Sequence, residues 1–181
     1  MDFASVDTAT APGRYVAADP YLLDYGISVS DRVPQKSKVV IMNNLALYEG
    51  SSVHPTTSQN FLTQIDTDNA PASFKLLLKQ PCKSVSFTRP TLLAPTENGI
   101  THPAWSAHAL DGEGRELSSQ SEDLTRSFSN VPERIYTLTA PGFNRIAAIR
   151  FDSDPRLNGR PFSAFSAILI ERVTMQCKGN Q

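Results

Sequence analysis

Apolar and polar side chains alternate along much of this chain, most clearly in its last third. Residues 145–152 read R-I-A-A-I-R-F-D, and a turn-rich loop over residues 153–161 separates them from an apolar run at residues 162–175. Alternation bounded by Pro, Gly, Asn and Asp is typical of paired strands, and no stretch has the 3.6-residue period of a helix. The pattern predicts a strand, a loop and a second strand at this end of the chain.

Shorter alternating segments upstream predict further strands, at residues 2–4, 26–30, 38–42, 73–80, 83–89, 104–110, 115–117 and 135–139. The sequence Asp111-Gly112-Glu113-Gly114 is the clearest hairpin turn. Pro141-Gly142 is expected to join another strand pair. Residues 19–25 are predicted to form one helical turn, with Asp19 as its cap. The segment at 43–64 is the least regular.

About ten strands joined by tight turns imply two stacked antiparallel sheets, because an open sheet of that size would leave an apolar face bare. The chain has 181 residues, of which 40% are hydrophobic, and this is enough for one continuous core. Its thirteen prolines and nine glycines fit a chain with many turns. The predicted fold is an all-β antiparallel β-sandwich, a single domain over residues 1–181.

Charge and hydropathy exclude two kinds of partner. The net charge is −1 and the 17 basic residues are dispersed, so no basic stripe is present for binding nucleic acid. No stretch approaches the ~20 apolar residues of a membrane span, and the start lacks a signal peptide. The strand-like start Met-Asp-Phe favours a domain excised from a longer exported protein, hence an extracellular or periplasmic location. A cytoplasmic location stays open.

Two cysteines, Cys82 and Cys177, stand 95 positions apart and match no metal or redox spacing. They are either two buried thiols or a disulfide between the last strand and the middle of the sheet.

Several short motifs recur in the order of a known family. They are D-F at residues 2–3, Y-G-I-S-V at 25–29, S-Q-N-F-L at 58–62, F-K-L-L-L-K-Q-P at 74–81 before V-S-F, A-x-A-L-D-G-E-G at 107–114, R-I-A-A-I-R-F at 145–151 and A-F-S-A-I-L-I-E-R-V at 164–173. Together they resemble the galactose-binding-like jelly-roll sandwiches, many of which are carbohydrate-binding accessory modules. The resemblance implies a jelly roll whose first and last strands are adjacent. It carries little information about the ligand, since such sandwiches host many functions.

The same resemblance implies a structural calcium ion near the two chain ends. The matching acidic residues are Asp2 and Glu171, with Asp7 nearby. Oxygen ligands of this kind suit Ca²⁺. Arg172 departs from the acidic pair that the family often has there and would repel a cation. Ordinary solvent-facing carboxylates are the alternative.

Catalytic motifs are missing. The chain contains neither a G-x-S-x-G elbow nor an H-E-x-x-H helix, and the histidines at 54, 102 and 108 stand in unlike contexts. A lyase of jelly-roll type would need a base beside a cation, and His102, Tyr136 and Arg160 could be assigned to those roles without any feature that requires it. The sequence therefore favours a protein that is not an enzyme.

Sugar binding needs an exposed aromatic ring flanked by polar side chains. Trp105 is either such a ring or a core residue, and Tyr48 is either a second ring or an edge-strand tyrosine. The expected site is a shallow one, built from loops at one end of the sandwich, because loops carry the residues that packing does not explain. Its candidate residues are Tyr48, His54, Asn98, His102, Trp105, Arg156, Asn158 and Arg160. For Arg156 to Arg160, local turns and ion pairs are the alternative.

The function predicted from sequence is therefore a non-catalytic binding module, with a polysaccharide or oligosaccharide as its ligand. A catalytic domain in the same polypeptide is the expected neighbour. A protein-interaction or structural β-sandwich is the alternative, and a polysaccharide-active enzyme is the third hypothesis.

Overall fold

The computed structural model describes residues 1–8, 14–49, 55–93, 101–126, 129–161 and 167–177. Its small sheet contains strands β1 (Tyr15–Ala17), β3 (Lys38–Asn43) and β4 (Asn60–Ile65). Its large sheet contains β2 (Ile27–Val33), β5 (Ala72–Arg89), β6 (Ala104–Leu110), β7 (Glu116–Glu122), β8 (Arg134–Thr139), β9 (Ile146–Asp154) and β12 (Arg172–Cys177). The remaining elements are a 3₁₀ turn (Phe3–Ser5), two helices, α1 (Ala18–Leu23) and α2 (Asn44–Leu47), and a hairpin of β10 (Arg156–Leu157) and β11 (Arg160–Pro161).

All strand pairs among these residues are antiparallel. The large sheet has the order β12-β5-β9-β6-β7, and β2 and β8 also pair with β5. The predicted all-β antiparallel sandwich is confirmed.

Strand β5 organises the large sheet because it is 18 residues long and has four partners. Its first half lies between β2 and β9, and its second half lies between β12 and β8. The sequence predicted two strands interrupted at Pro81, and this was wrong: the strand continues through Pro81 where the pairing with β9 shifts register. Proline has no N–H to donate, so such a shift is a tolerable place for it.

Two predicted strand pairs are also corrected. Strands β8 and β9 are not a hairpin around Pro141-Gly142, since both run antiparallel to β5 and follow one another along the same edge. Strands β9 and β12 lie on opposite edges of β5, where Ile146 and Cys177 both face Cys82. Alternation identified these strands, but it does not specify which strand each one pairs with.

The apolar run at residues 162–175 is not one strand. Residues 162–166 lie outside the described residues, and β12 begins only at Arg172. Between them Ile170 exchanges two backbone hydrogen bonds with Leu62 of β4, at 2.8 and 3.0 Å. Its described residues from Ala167 to Ile170 are buried, which accounts for their apolar character.

The N-terminal residues lie beside β12, although residues 2–4 are not the predicted strand. Met1 exchanges backbone hydrogen bonds with Val173, and Asp2 forms an isolated bridge to Arg172 before the 3₁₀ turn. The predicted helical turn is α1, but Asp19 lies inside it and does not cap it.

The core lies between the two sheets. Alternate residues of the paired strands fill it, such as Phe74 and Leu76 on β5 opposite Phe151 and Ile149 on β9. Of the two alternatives for the cysteines, the structure has the disulfide Cys82–Cys177, which joins β5 to β12.

Candidate functional site

The outer face of the large sheet carries a row of polar side chains. Because Phe74 and Phe151 point into the core, the residues that alternate with them on β5 and β9 point outward. The strand register then sets Ser106 of β6 opposite Asp152 and His108 opposite Arg150. These four residues, together with Glu116 of β7, are called the outer polar row below.

His108 is the centre of the outer polar row. Its Nδ1 lies 2.8 Å from Oε2 of Glu116, and its Nε2 lies 2.9 Å from Oγ of Ser106. Oδ2 of Asp152 is 3.4 Å from Nε2 and accepts a 2.8 Å hydrogen bond from Nε of Arg150. Hydrogen bonds from Ser119 and His108 lower the pKa of Glu116. The row therefore presents two carboxylates, an imidazole, a hydroxyl and a guanidinium group on one sheet face.

A groove of about 410 Å³ opens at the end of this row, where β5, β6 and β9 meet. It is called the outer groove below. Its lining residues are Val33, Pro71, Ala72, Ser73, Ala104, Trp105, Ser106, Asp152, Ser153 and Asp154. The groove thus combines the apolar surface of Val33, Pro71 and the two alanines with hydroxyl and carboxylate groups.

The carboxylates of the outer groove are held by arginines outside it. Nε and Nη2 of Arg156 donate to the two oxygens of Asp154 at 2.9 and 3.0 Å, and these hydrogen bonds lower the pKa of Asp154. The carboxyl groups of Asp152 and Asp154, beside the hydroxyl groups of three serines, form a surface rich in hydrogen-bond acceptors. Such a surface can bind a ligand that donates several hydroxyl hydrogens.

The two predicted rings are buried. Trp105 is 4% exposed and packs edge-on against Tyr136, at 4.7 Å between ring centroids. Tyr48 is also 4% exposed, and its hydroxyl accepts a hydrogen bond from the N–H of Leu93 at 3.2 Å. Neither ring is therefore an exposed platform for a sugar. Trp105 is the core residue of the two alternatives, although it also lines part of the outer groove.

His102 and Trp105 lie beside a buried ion pair, which is called the interior cluster below. Arg89 donates to both oxygens of Glu122 at 2.9 and 3.1 Å, and Glu122 also accepts from the indole N–H at 3.3 Å. His102 is buried next to this pair, and burial lowers its pKa to about 4. Tyr136 is buried as well, so the groups assigned to a lyase do not meet on an open surface.

The other predicted ligand residues divide into two groups. Arg156, Asn158 and Arg160 lie on the β10–β11 hairpin, where Asn158 adopts a positive φ of 53° in the turn. Of these, Arg156 approaches the outer groove through Asp154. His54 and Asn98 lie outside the described residues.

The acidic residues expected to bind calcium have protein partners or lie apart in this structure. One carboxylate oxygen of Asp2 accepts a hydrogen bond from the N–H of Ala4, and the other pairs with Arg172 at 3.1 Å. Burial raises the pKa of Glu171, and Asp7 is exposed. Across the described part of the chain no group of three or more His, Cys, Asp or Glu side chains is arranged to hold a metal ion. Calcium binding there stays a prediction.

Sequence reasoning did not single out most residues of the outer groove and the outer polar row. It expected loops to carry the ligand, and this stays a prediction, whereas Ser73, Ser106 and His108 lie on strands. Alternation marks each of them as outward-facing, but their proximity depends on the register of three strands that are distant in sequence. Only Asp152 and Asp154 lie at or in the turn-rich loop over residues 153–161, where the sequence already shows many polar side chains.

Comparison with known proteins returned only distant similarities. No protein-family model and no curated protein matches the chain. Among solved structures, it is similar to the lectin domain of lectinolysin complexed with Lewis b antigen, with 11% identity, a TM-score of 0.39 and coverage of 66% of this chain and 72% of that one. It is also similar to a xylan-binding domain, CBM22-1, from Paenibacillus barcinonensis, with 11% identity, a TM-score of 0.34 and coverage of 85% and 88%. A third similar structure is an F5/8 type C domain from Bacteroides fragilis, with 15% identity, a TM-score of 0.36 and coverage of 81% and 97%. Scores this low carry no argument about the ligand of this chain.

Within the described residues, no helix is long and apolar enough to cross a membrane.

Proposed function

We propose that this chain is a non-catalytic carbohydrate-binding module and that the outer groove with its polar row binds an oligosaccharide or polysaccharide. The observation that carries the proposal is the lining of the groove. Asp152 and Asp154 can accept hydrogen bonds from sugar hydroxyls, and Ser73 and Ser106 can both donate and accept. Val33 and Pro71 provide apolar surface for the C–H groups of a pyranose ring.

An open groove favours weak binding. It lies at the ends of β5, β6 and β9, and no deep pocket encloses the ligand there, so much of a bound sugar would stay in contact with water. We expect dissociation constants on the order of micromolar to millimolar.

The module is proposed to belong to a larger exported polypeptide, beside a catalytic domain, in an extracellular or periplasmic setting. The disulfide Cys82–Cys177 supports this, because disulfides persist in oxidising compartments and are rare in the cytosol.

The test is affinity electrophoresis against a panel of soluble polysaccharides, including xylan, galactan and β-glucan. The wild-type domain should be retarded by at least one of them, and Asp152→Asn and Ser106→Ala should each reduce the retardation. Asp66→Asn is the matched control, since Asp66 is another exposed carboxylate paired with a basic side chain, Lys38, but beside the small sheet. A polysaccharide that binds wild type, Asp152→Asn and Ser106→Ala equally well would show that the groove is not the site.

A protein-interaction domain is the second candidate, and a specific surface favours it. Leu23, Tyr25 and Leu77 are 61%, 47% and 40% exposed and line two adjoining depressions around Gly26. Contiguous exposed apolar surface often marks a protein contact. This second function is the correct one if two results are obtained. No polysaccharide retards the domain, and the double variant Leu23→Ser, Leu77→Ser weakens the contact of this domain with the rest of the full-length parent chain, measured as a lower thermal unfolding temperature.

A further inference from the structure

The loop between β8 and β9 holds a phenylalanine entirely in solvent. Phe143 is 100% exposed, more than any other large hydrophobic residue of the described chain. It follows Pro141 and Gly142 and precedes Asn144 and Arg145. Sugar binding needs an exposed ring beside polar groups, and this loop has the ring that the outer groove lacks.

Hydrogen bonds fix the conformation of this loop. The N–H of Asn144 donates to the carbonyl of Pro141 at 3.1 Å, and Gly142 adopts a positive φ of 53°. Nζ of Lys83, on the neighbouring strand β5, donates to the carbonyls of Ala140 and Gly142, the latter at 2.8 Å.

Arg145 fixes the other side of the loop. Its Nη1 donates to the carbonyl of Phe143 at 3.0 Å and to that of Asn144 at 2.7 Å. The ring is therefore carried on a backbone that hydrogen bonds from Lys83 of β5 and from Arg145 of the loop hold in place. A loop backbone that is already fixed does not have to be ordered when a ligand stacks on the ring.

We propose that Phe143 is a stacking platform for the apolar face of a pyranose ring, with Asn144 and Arg145 supplying hydrogen bonds to its hydroxyls. This inference rests on the proposed carbohydrate-binding function but uses a separate site. Strand β9 runs between the loop and the outer groove, and its nine residues span roughly 26 Å. The two sites can therefore contact distant units of one polysaccharide chain.

The amide of Asn144 and the guanidinium group of Arg145 suit hydroxyl groups as donors, and the amide also accepts. A flat hydrophobic face with such neighbours fits a sugar better than it fits an aliphatic partner side chain. Ile135, near the opposite end of β8 from this loop, is 65% exposed and offers no ring, so it provides a matched control for the loss of an exposed apolar side chain away from the loop.

The experiment measures binding to the same polysaccharide panel by affinity electrophoresis. It compares wild type with Phe143→Ala, Phe143→Tyr, Ile135→Ala and Asp152→Asn. Phe143→Ala should weaken binding about three- to tenfold, the range expected for the loss of one ring contact. Phe143→Tyr and Ile135→Ala should bind like wild type. Thermal unfolding should not distinguish Phe143→Ala from wild type, because the side chain is fully exposed.

The outcomes separate the two proposals. If Phe143→Ala binds like wild type while Asp152→Asn does not, the platform is wrong and the groove stands. The reverse result supports the platform and rejects the groove. If wild type binds no polysaccharide, both are overturned. A second assay measures whether the protein sediments with vesicles of phosphatidylcholine and phosphatidylserine. If wild type sediments with them and Phe143→Ala does not, the ring binds a membrane surface and the proposed sugar platform is wrong.

Discussion

The interior cluster and the outer polar row are built from the same kinds of side chain. Each contains an arginine bonded to a carboxylate, with a histidine beside the pair: Arg89, Glu122 and His102 inside, and Arg150, Asp152 and His108 outside. The side chain of Arg89 is 2% exposed, whereas those of Arg150 and Asp152 are 40% and 37% exposed.

Burial gives the two groups different consequences. Inside, Arg89 also donates to the carbonyls of Pro90 and Pro132, at 2.6 and 2.7 Å, so it ties two loop segments to β7. A buried charge that loses its partner is strongly destabilising. Outside, water can replace any partner that is lost, and the same groups can exchange their hydrogen bonds for those of a ligand. The first cluster therefore serves the fold and the second can serve binding.

The largest expected effect is the loss of the interior arginine. Arg89→Met keeps the aliphatic volume but leaves Glu122 buried without its partner, and this should lower the free energy of unfolding by about 3–5 kcal/mol. Urea denaturation measures it.

Arg150→Met is the matched variant for the outer row. An exposed pair contributes about 0–1 kcal/mol, so this substitution should change stability by no more than that. Equal losses for the two arginines would mean that burial does not separate the clusters.

A smaller effect should appear in the pH dependence of stability. Burial lowers the pKa of His102 from 6.5 to about 4 in the folded state, so folding favours its neutral form. The resulting stability is fully present above pH 6.5 and is lost as the pH falls toward 4, by about 3 kcal/mol at most.

His102→Gln removes this titration. The difference in unfolding free energy between wild type and His102→Gln should therefore shrink as the pH falls from 7 to 4. Measuring urea denaturation of both at several pH values checks it, and a difference that stays constant would show that His102 is not buried as a neutral group.

Local pattern was enough to predict the strands and the fold class, because alternation records which side of each strand is buried. Residues 104–110 and 145–152, for example, were predicted within two residues of β6 and β9. The errors arose where the pattern depends on distant partners. Pro81 lies inside β5 because the pairing shifts there, and Ala167 to Ile170 are apolar because they are buried, although they precede the start of β12.

The same limit explains the site. Tyr48 stands in an irregular segment that looks like a loop, but α2 and a contact to Leu93 bury it. His108 looks like any outward residue of a strand until the register places it between Asp152 and Glu116. Phe143 was within reach of the sequence, since a phenylalanine directly after Pro-Gly lies in a turn, where burial is unusual.

The smallest expected effect compares two glutamates with one substitution. Glu116 is 48% exposed in the outer polar row, whereas Glu122 is 15% exposed in the interior cluster. Glu116→Gln should lower the free energy of unfolding by about 0.2–1 kcal/mol, and added salt should reduce the difference because the attraction between the exposed Glu116 and Arg150 is screened. Glu122→Gln should cost several-fold more and depend little on salt, because Arg89 would then be a buried charge without a counterion. Urea denaturation of wild type and both variants at low and high sodium chloride checks this. A large, salt-independent loss for Glu116→Gln would make the outer row part of the structural framework and would weaken the case that it is available to a ligand.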